Sequence, residues 1–247
     1  MNVSVWQALN SEHQGIQVVS KNAGSMRSDA VYQSLRRAII EQALQPATRL
    51  PEDIIGDQFG VSRTVVRQAL TRLQGEGLVE THLNRGAYVA KPTPEEARDI
   101  FELRHCLERE VMRKLVERIS VSGLDALESH VEQEERMHGR DGARSIRLAG
   151  EFHNILAELT GNRVLARYVS EVVSRCSLIL AIYGRHHSSD CAVEEHRRLI
   201  QAIRESDAAA AMRLMDEHLG GVEERAQLTK DQPADLKSVL NRYAEQE

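Results

Sequence analysis

Gly60-Val61-Ser62-Arg63-Thr64-Val65-Val66-Arg67-Gln68-Ala69-Leu70 reads as a turn followed by a helix. Gly60 supplies the turn, Ser62 is an N-cap residue, and Gly75 and Gly77 bound the helix at about Gln74. Val66, Leu70 and Leu73 recur at helical spacing and form its packing face. Ser62, Arg63, Thr64 and Arg67 fall on the outer, N-terminal part. Upstream, Val31, Leu35, Ile39 and Ile40 mark a helix over 29–44 that Pro46 ends, and a short helix over 51–59 begins at Pro51. Downstream, Leu78-Val79-Glu80-Thr81 and Ala87-Tyr88-Val89-Ala90 flank Asn84-Arg85-Gly86 as a β-hairpin. Three helices and a hairpin make a winged helix-turn-helix. In that architecture the outer face of the third helix enters a major groove, where Arg reads guanine and Ser or Thr holds phosphate. A merely solvated arginine face is the alternative.

The prolines of Lys91-Pro92-Thr93-Pro94 make a stiff connector, with Thr93 as the cap of the next helix and Pro94 at its first position. Beyond it the pattern is helical throughout, with helices expected near 94–119, 122–138, 143–160, 162–185, 190–205 and 207–229. The expected fold is therefore mainly α. A flexible arm (1–25) precedes a winged helix-turn-helix domain (26–90), a linker (91–94) leads to an all-α bundle (95–230), and a tail (231–247) carries one short helix over 235–243.

The composition agrees. Of 247 residues 41% are hydrophobic and only 4% aromatic, so the core is built from Leu, Ile, Val and Ala. No run of 18 apolar residues offers a membrane span, no secretory signal is expected because no basic segment precedes an apolar stretch, and three cysteines suggest no disulfide framework. A cytoplasmic address is expected. The net charge of −5 divides unevenly: 26–92 carries nine Lys+Arg against seven Asp+Glu, a net of +2, and the remainder carries −7. A slightly basic head on an acidic bundle is compatible with DNA.

Inside the bundle, polar residues on apolar faces need partners. His153 borders the face of Phe152 and Leu156, His196 lies amid Val193, Leu199 and Ile200, and His218 shares a face with Ala211, Met215 and Val222. Three helices thus each turn an imidazole inward, and three imidazoles with an open position suit a divalent ion, Zn2+ first. Arg104 is also on a core face, with Ile100, Phe101 and Val111, either paired to Glu108 at i,i+4 or anchoring a carboxylate ligand through its fork.

The head, from Val31-Tyr32 through Leu50-Pro51-Glu52 to Leu73-x-x-Glu76-Gly77-Leu78-Val79 and Asn84-Arg85-Gly86-Ala87-Tyr88-Val89, resembles the GntR superfamily of bacterial regulators. It departs from the family pattern at Ala47, Val65 and Gln68. The resemblance implies that Ser62, Arg63, Thr64 and Arg67 line the recognition helix, that Arg85 and Gly86 tip the wing, and that Arg49 touches phosphate. Phe152-His153, Gly161-Asn162, Glu195-His196-x-x-Leu199-Ile200 and His218-Leu219 look like the helical FCD domain of the FadR subfamily. There the matching histidines bind metal together with an Asp at the position of Ala149, and an Arg matching Arg104 contacts the ligand. Arg175 is a second residue expected at that pocket, Glu151 is a poor substitute for the missing Asp, and Cys191, His186 or His187 are alternative ligands. The expectation is a homodimeric, ligand-responsive regulator on a palindromic double-stranded DNA operator, with a small organic acid as effector and repression as its mode. It is not an enzyme and has no membrane partner. The rivals are a metal-dependent enzyme on a DNA-binding head, for which no His-Glu-x-x-His motif or phosphate loop is present, and an effector-free repressor whose inward polar residues are structural.

Overall fold

A computed structural model describes residues 26–137, 139–184, 190–226 and 228, without the side chains of Asp190 and Cys191. The arm, the tail with its expected helix, His186, His187 and the Cys191 side chain lie outside the described residues.

The head consists of α1 (26–40), β1 (Arg49–Leu50), α2 (Glu52–Phe59), α3 (Arg63–Gly75), β2 (Val79–His82) and β3 (Gly86–Val89). Helix α1 stops at residue 40, short of the expected 44, because the chain turns before Pro46 is reached. Gln42 takes a left-handed φ of 58° and Leu44 N–H bonds back to the Ala38 carbonyl. Ser62 caps α3 by accepting from Val65 N–H, and Gly60 supplies the left-handed residue that ends α2. The hairpin β2–β3 gains an unexpected third strand. β1 pairs antiparallel with β3, Arg49 opposite Tyr88 and Leu50 opposite Ala87, giving the order β1-β3-β2. A two-residue strand leaves no alternation to read in the sequence.

The remaining helices are α4 (Pro94–Arg118), α5 (Val121–Met137), α6 (Gly142–Leu159), α7 (Arg163–Tyr183), α8 (Asp190–Arg204) and α9 (Ala208–Arg225). Their ends follow local chemistry. Thr93 and Glu96 form a capping box over α4 with Pro94 in its first turn, Asn162 caps α7 and Asp207 caps α9. Phe152, Leu156, Met112, Leu115, Leu199 and Met215 centre the bundle core. No helix among the described residues is long and apolar enough to cross a membrane.

Head and bundle share packing. Leu178 of α7 is fully buried within the head core, beside residues of α1 and α3. Arg36 of α1 donates to Ser170 and Ser174 of α7 and to Glu76, and Glu41 accepts from Arg147 of α6 at 2.8 Å. One stripe of α7 (Ser170, Ser174, Leu178) therefore holds the head, while another (Val173, Cys176, Leu180) lines a cavity in the bundle.

Candidate functional site

The exposed face of the head carries the residues expected there. Ser62, Arg63, Thr64 and Arg67 are exposed on α3, Arg49 is exposed on β1, and Arg85 and Gly86 are exposed at the hairpin tip, where Gly86 has φ 92°. Arg67 is gripped by Glu52 through two hydrogen bonds of 3.0 and 2.7 Å. A partner for Arg67 on a nucleic acid has to compete with that carboxylate.

In the bundle, α6, α8 and α9 bring His153, His196 and His218 together with one ligand atom from each within 4.8 Å of the others. All three are buried, and Phe152 stacks on the His196 ring at 3.9 Å between centroids. The Nε2 atoms of His153 and His218 lie 3.2 Å apart, and His196 Nε2 is buried without a hydrogen-bond partner. On the other side of each ring stands a carboxylate: Glu108 at 2.5 Å from His153 Nδ1, Glu134 at 2.8 Å from His196 Nδ1, and Glu195 at 2.6 Å from His218 Nδ1. Burial pushes His153 down to about 3 and His218 down to about 4, despite the carboxylates, so both rings are neutral at pH 7 and able to act as ligands. Burial alone would raise Glu108, but facing His153 and Arg104 hold it well below the usual carboxylate range.

The three imidazoles border a cavity of about 530 Å³ that Arg104, Ala149, Cys176 and Arg225 also line. Arg104 donates from its Nε to Glu108 at 2.6 Å, the i,i+4 pairing weighed for it, and it also borders the cavity. Ala149 lines the same wall one turn before His153, so no carboxylate projects from that position. Glu151 faces Arg147 at 2.5 Å instead of the histidines. Arg175 does not take its expected place and is corrected. It is not among the cavity residues but packs beneath Gly77 of the head, where a Cβ would come within 2.8 Å of its Nε. Residue 175 stands next to cavity-lining Cys176, and the 100° between consecutive helical residues carries it round to the head.

Two groups of residues at the site escape sequence reasoning. Glu134 is named by no motif. Glu108 and Glu195, which the sequence marks as a partner of Arg104 and as a neighbour of His196, are not read there as partners of the rings. Yet Glu108 and Glu134 are buried carboxylates on inward helix faces. Glu41 and Gln42, which follow α1 in the head, border the cavity as well. No local pattern signals that contact, because it joins segments about a hundred residues apart.

Residues 27–89 match the family described as bacterial regulatory proteins, gntR family, and residues 99–221 match the FCD domain. The chain belongs to the GntR family of bacterial regulators and carries an FCD domain. Among curated proteins, this GntR regulator is 25% identical to the uncharacterized HTH-type transcriptional regulator YdhC of Bacillus subtilis, over 73% of this chain and 82% of that protein. It is also 25% identical to the HTH-type transcriptional repressor RspR of Escherichia coli, over 83% of this chain and 91% of that one. Among solved structures, E. coli McbR/YncC matches with a TM-score of 0.72 at 19% identity, over 79% of this chain and 94% of that chain. A GntR regulator from Rhodococcus sp. RHA1 matches with a TM-score of 0.70 at 23% identity, over 81% and 97%. At those identities the structures show the shared fold. GntR proteins are transcriptional regulators and not enzymes, which sets aside the metal-dependent enzyme.

Proposed function

We propose that this GntR regulator binds a palindromic operator as a homodimer and responds to a small organic acid held in the bundle, with a divalent metal as part of the site. The observation that carries the reading is the convergence of His153, His196 and His218 on one point at the wall of a cavity that also presents Arg104. The donor set fits such an ion: three neutral imidazoles, one with an orphaned buried Nε2, suit Zn2+ or a related cation. Bound there, the metal supplies a Lewis-acidic anchor for a carboxylate. Arg104 offers that carboxylate charge and hydrogen bonds from the protein side. Residues 26–90 read DNA through Ser62, Arg63, Thr64 and Arg67, with Arg49, Arg85 and Gly86 at the flanks. Residues 91–94 connect them to the effector and dimerisation domain at 95–230. Two-fold symmetry of the protein calls for two half-sites related in the same way. The similarity to a protein named a repressor supports repression; relief when the effector binds, and a cytoplasmic address, are part of the same proposal.

An effector changes DNA binding only if it prefers one pose of the head. Glu41 and Gln42 give it direct access to that pose, since they belong to the head and border the cavity. The test combines metal analysis of protein purified without chelator, alanine replacement of His153, His196 and His218, and footprinting on genomic fragments selected by the protein, with and without candidate carboxylates. Metal in the wild type, its loss in the triple variant and a footprint that one acid weakens are expected. A metal-free wild type, or a triple variant that responds normally, refutes the metal site. A footprint indifferent to every acid refutes the effector.

A further inference from the structure

Every imidazole of the cluster meets a carboxylate through Nδ1, and in each pair the two partners come from different helices. Glu108 of α4 faces His153 of α6, Glu134 of α5 faces His196 of α8, and Glu195 of α8 faces His218 of α9. An ionised carboxylate only accepts hydrogen bonds, so each contact requires a proton on Nδ1 and leaves Nε2 of a neutral ring as a bare lone pair. The inward nitrogens are then three acceptors: two of them 3.2 Å apart, the third buried and unpaired. Acceptors brought that close repel unless a cation lies between them. The charges lead to the same conclusion. Glu108 and Glu134 are almost wholly buried and Glu195 about two-thirds so; among the described residues Arg104 is the guanidinium hydrogen-bonded to this trio, through Glu108, and His130 Nε2 stands 3.2 Å from Glu134. Arg225 adds a charge farther off, near Glu195. Three carboxylates set against one hydrogen-bonded guanidinium and one histidine still leave buried negative charge, and a dication at the convergence of the rings offsets its cost.

We propose that Glu108, Glu134 and Glu195 are positioning residues of the metal site, which fix the Nδ1–H tautomer of the three histidines, aim their Nε2 lone pairs at one point and raise their basicity. The proposal rests on the metal reading above. It explains how a site with alanine at position 149 is completed: the negative charge stands behind the rings instead of beside the ion. It also assigns Glu108 a second contact, since the same carboxylate that orients His153 holds Arg104 at the cavity wall.

Glu195 is the cleanest to test because its side chain is 30% exposed and, of the rings, it bonds His218 alone. Glu195→Gln keeps an acceptor for Nδ1–H but loses the charge, and Glu195→Ala loses both. Glu194→Gln is the control: it removes the same charge from the neighbouring residue of α8, whose side chain is 66% exposed and faces Arg197. Zn2+ affinity of the full chain is measured by competition with a chromophoric chelator. The Co2+-loaded protein is examined by its visible absorption, and folding of each metal-free variant by circular dichroism. Loss of an outer partner costs a metal-bound histidine roughly 10- to 100-fold in affinity. Expected is a loss in that range for Glu195→Ala with altered Co2+ bands, a smaller loss for Glu195→Gln, and wild-type behaviour for Glu194→Gln. If Glu195→Ala does not fold, Glu195→Gln carries the comparison. Wild-type affinity in both Glu195 variants, or an equal loss in Glu194→Gln, overturns the positioning role while the metal reading survives. A wild type that binds neither Zn2+ nor Co2+ overturns both.

Discussion

Leu178→Ala gives a direct measure of how firmly the head is built onto the bundle. Leu178 belongs by sequence to α7, yet its side chain has no exposed surface and lies in the cluster formed by Val31, Leu35, Ile39, Leu70 and Leu73 of the head. Truncating a fully buried leucine costs about 3–4 kcal/mol, the transfer of its methyl groups plus the cavity left behind. At about 2–4 °C per kcal/mol for a chain of this size, Tm should fall by roughly 6–15 °C. Leu103→Ala on α4, where the leucine is 47% exposed, should stay within about 0.5 kcal/mol of wild type. The location of the loss is the sharper readout. Amide hydrogen exchange should accelerate in α1 and α3, although the substitution is on a bundle helix. Accelerated exchange confined to α4–α9, or a Tm shift no larger than that of Leu103→Ala, would refute the shared core.

Arg63→Ala and Arg67→Ala should each weaken sequence-specific DNA binding by ~1–3 kcal/mol for every bidentate pairing with a base edge that the truncation abolishes, measured by competition between matched and altered duplexes; unchanged preference contradicts the placement of α3. Glu52→Gln, which loosens the grip on Arg67, should tighten binding to any duplex more at low salt than at high, as salt titrations would reveal. Gly77→Ala should destabilise more than Gly60→Ala in urea unfolding. Both residues have left-handed φ, 70° and 61°, which costs roughly 1 kcal/mol, but only at Gly77 does a new methyl also displace Arg175. Metal-free protein should lose stability as pH falls from 7 to 5. With His153 at about 3 and His218 at about 4, the unfolded chain binds protons below its ordinary imidazole value of about 6.5 that the folded chain refuses, on the order of 2 kcal/mol per ring by pH 5. A flat Tm across that range would show the rings to be already protonated or exposed.

The helices were legible because their ends are chemical: Ser62, the Thr93-Pro94 pair, Asn162 and Asp207 each cap where the sequence suggests a start. The three histidines were legible for a similar reason, since helical periodicity alone turns each toward the core. What failed was long-range. Arg175 and Cys176 are neighbours in sequence, and only the packing of Gly77 reveals which of the two faces the head. The three glutamates lie between 23 and 62 residues from the rings they orient, a separation over which periodicity carries no information. Strand β1 has two residues and owes its existence to β3.

Glu41 and Gln42 form part of the cavity wall and directly follow α1, the helix that packs against α3. A ligand in that cavity and a duplex on the head are thereby joined in one free-energy cycle. Whatever pose the duplex selects sets the room left beside these two residues, and any preference of the ligand is returned to the duplex in equal measure. On the proposed function, operator DNA is itself an effector of the small-molecule site, and protein on and off the chromosome would capture the same metabolite with different affinity.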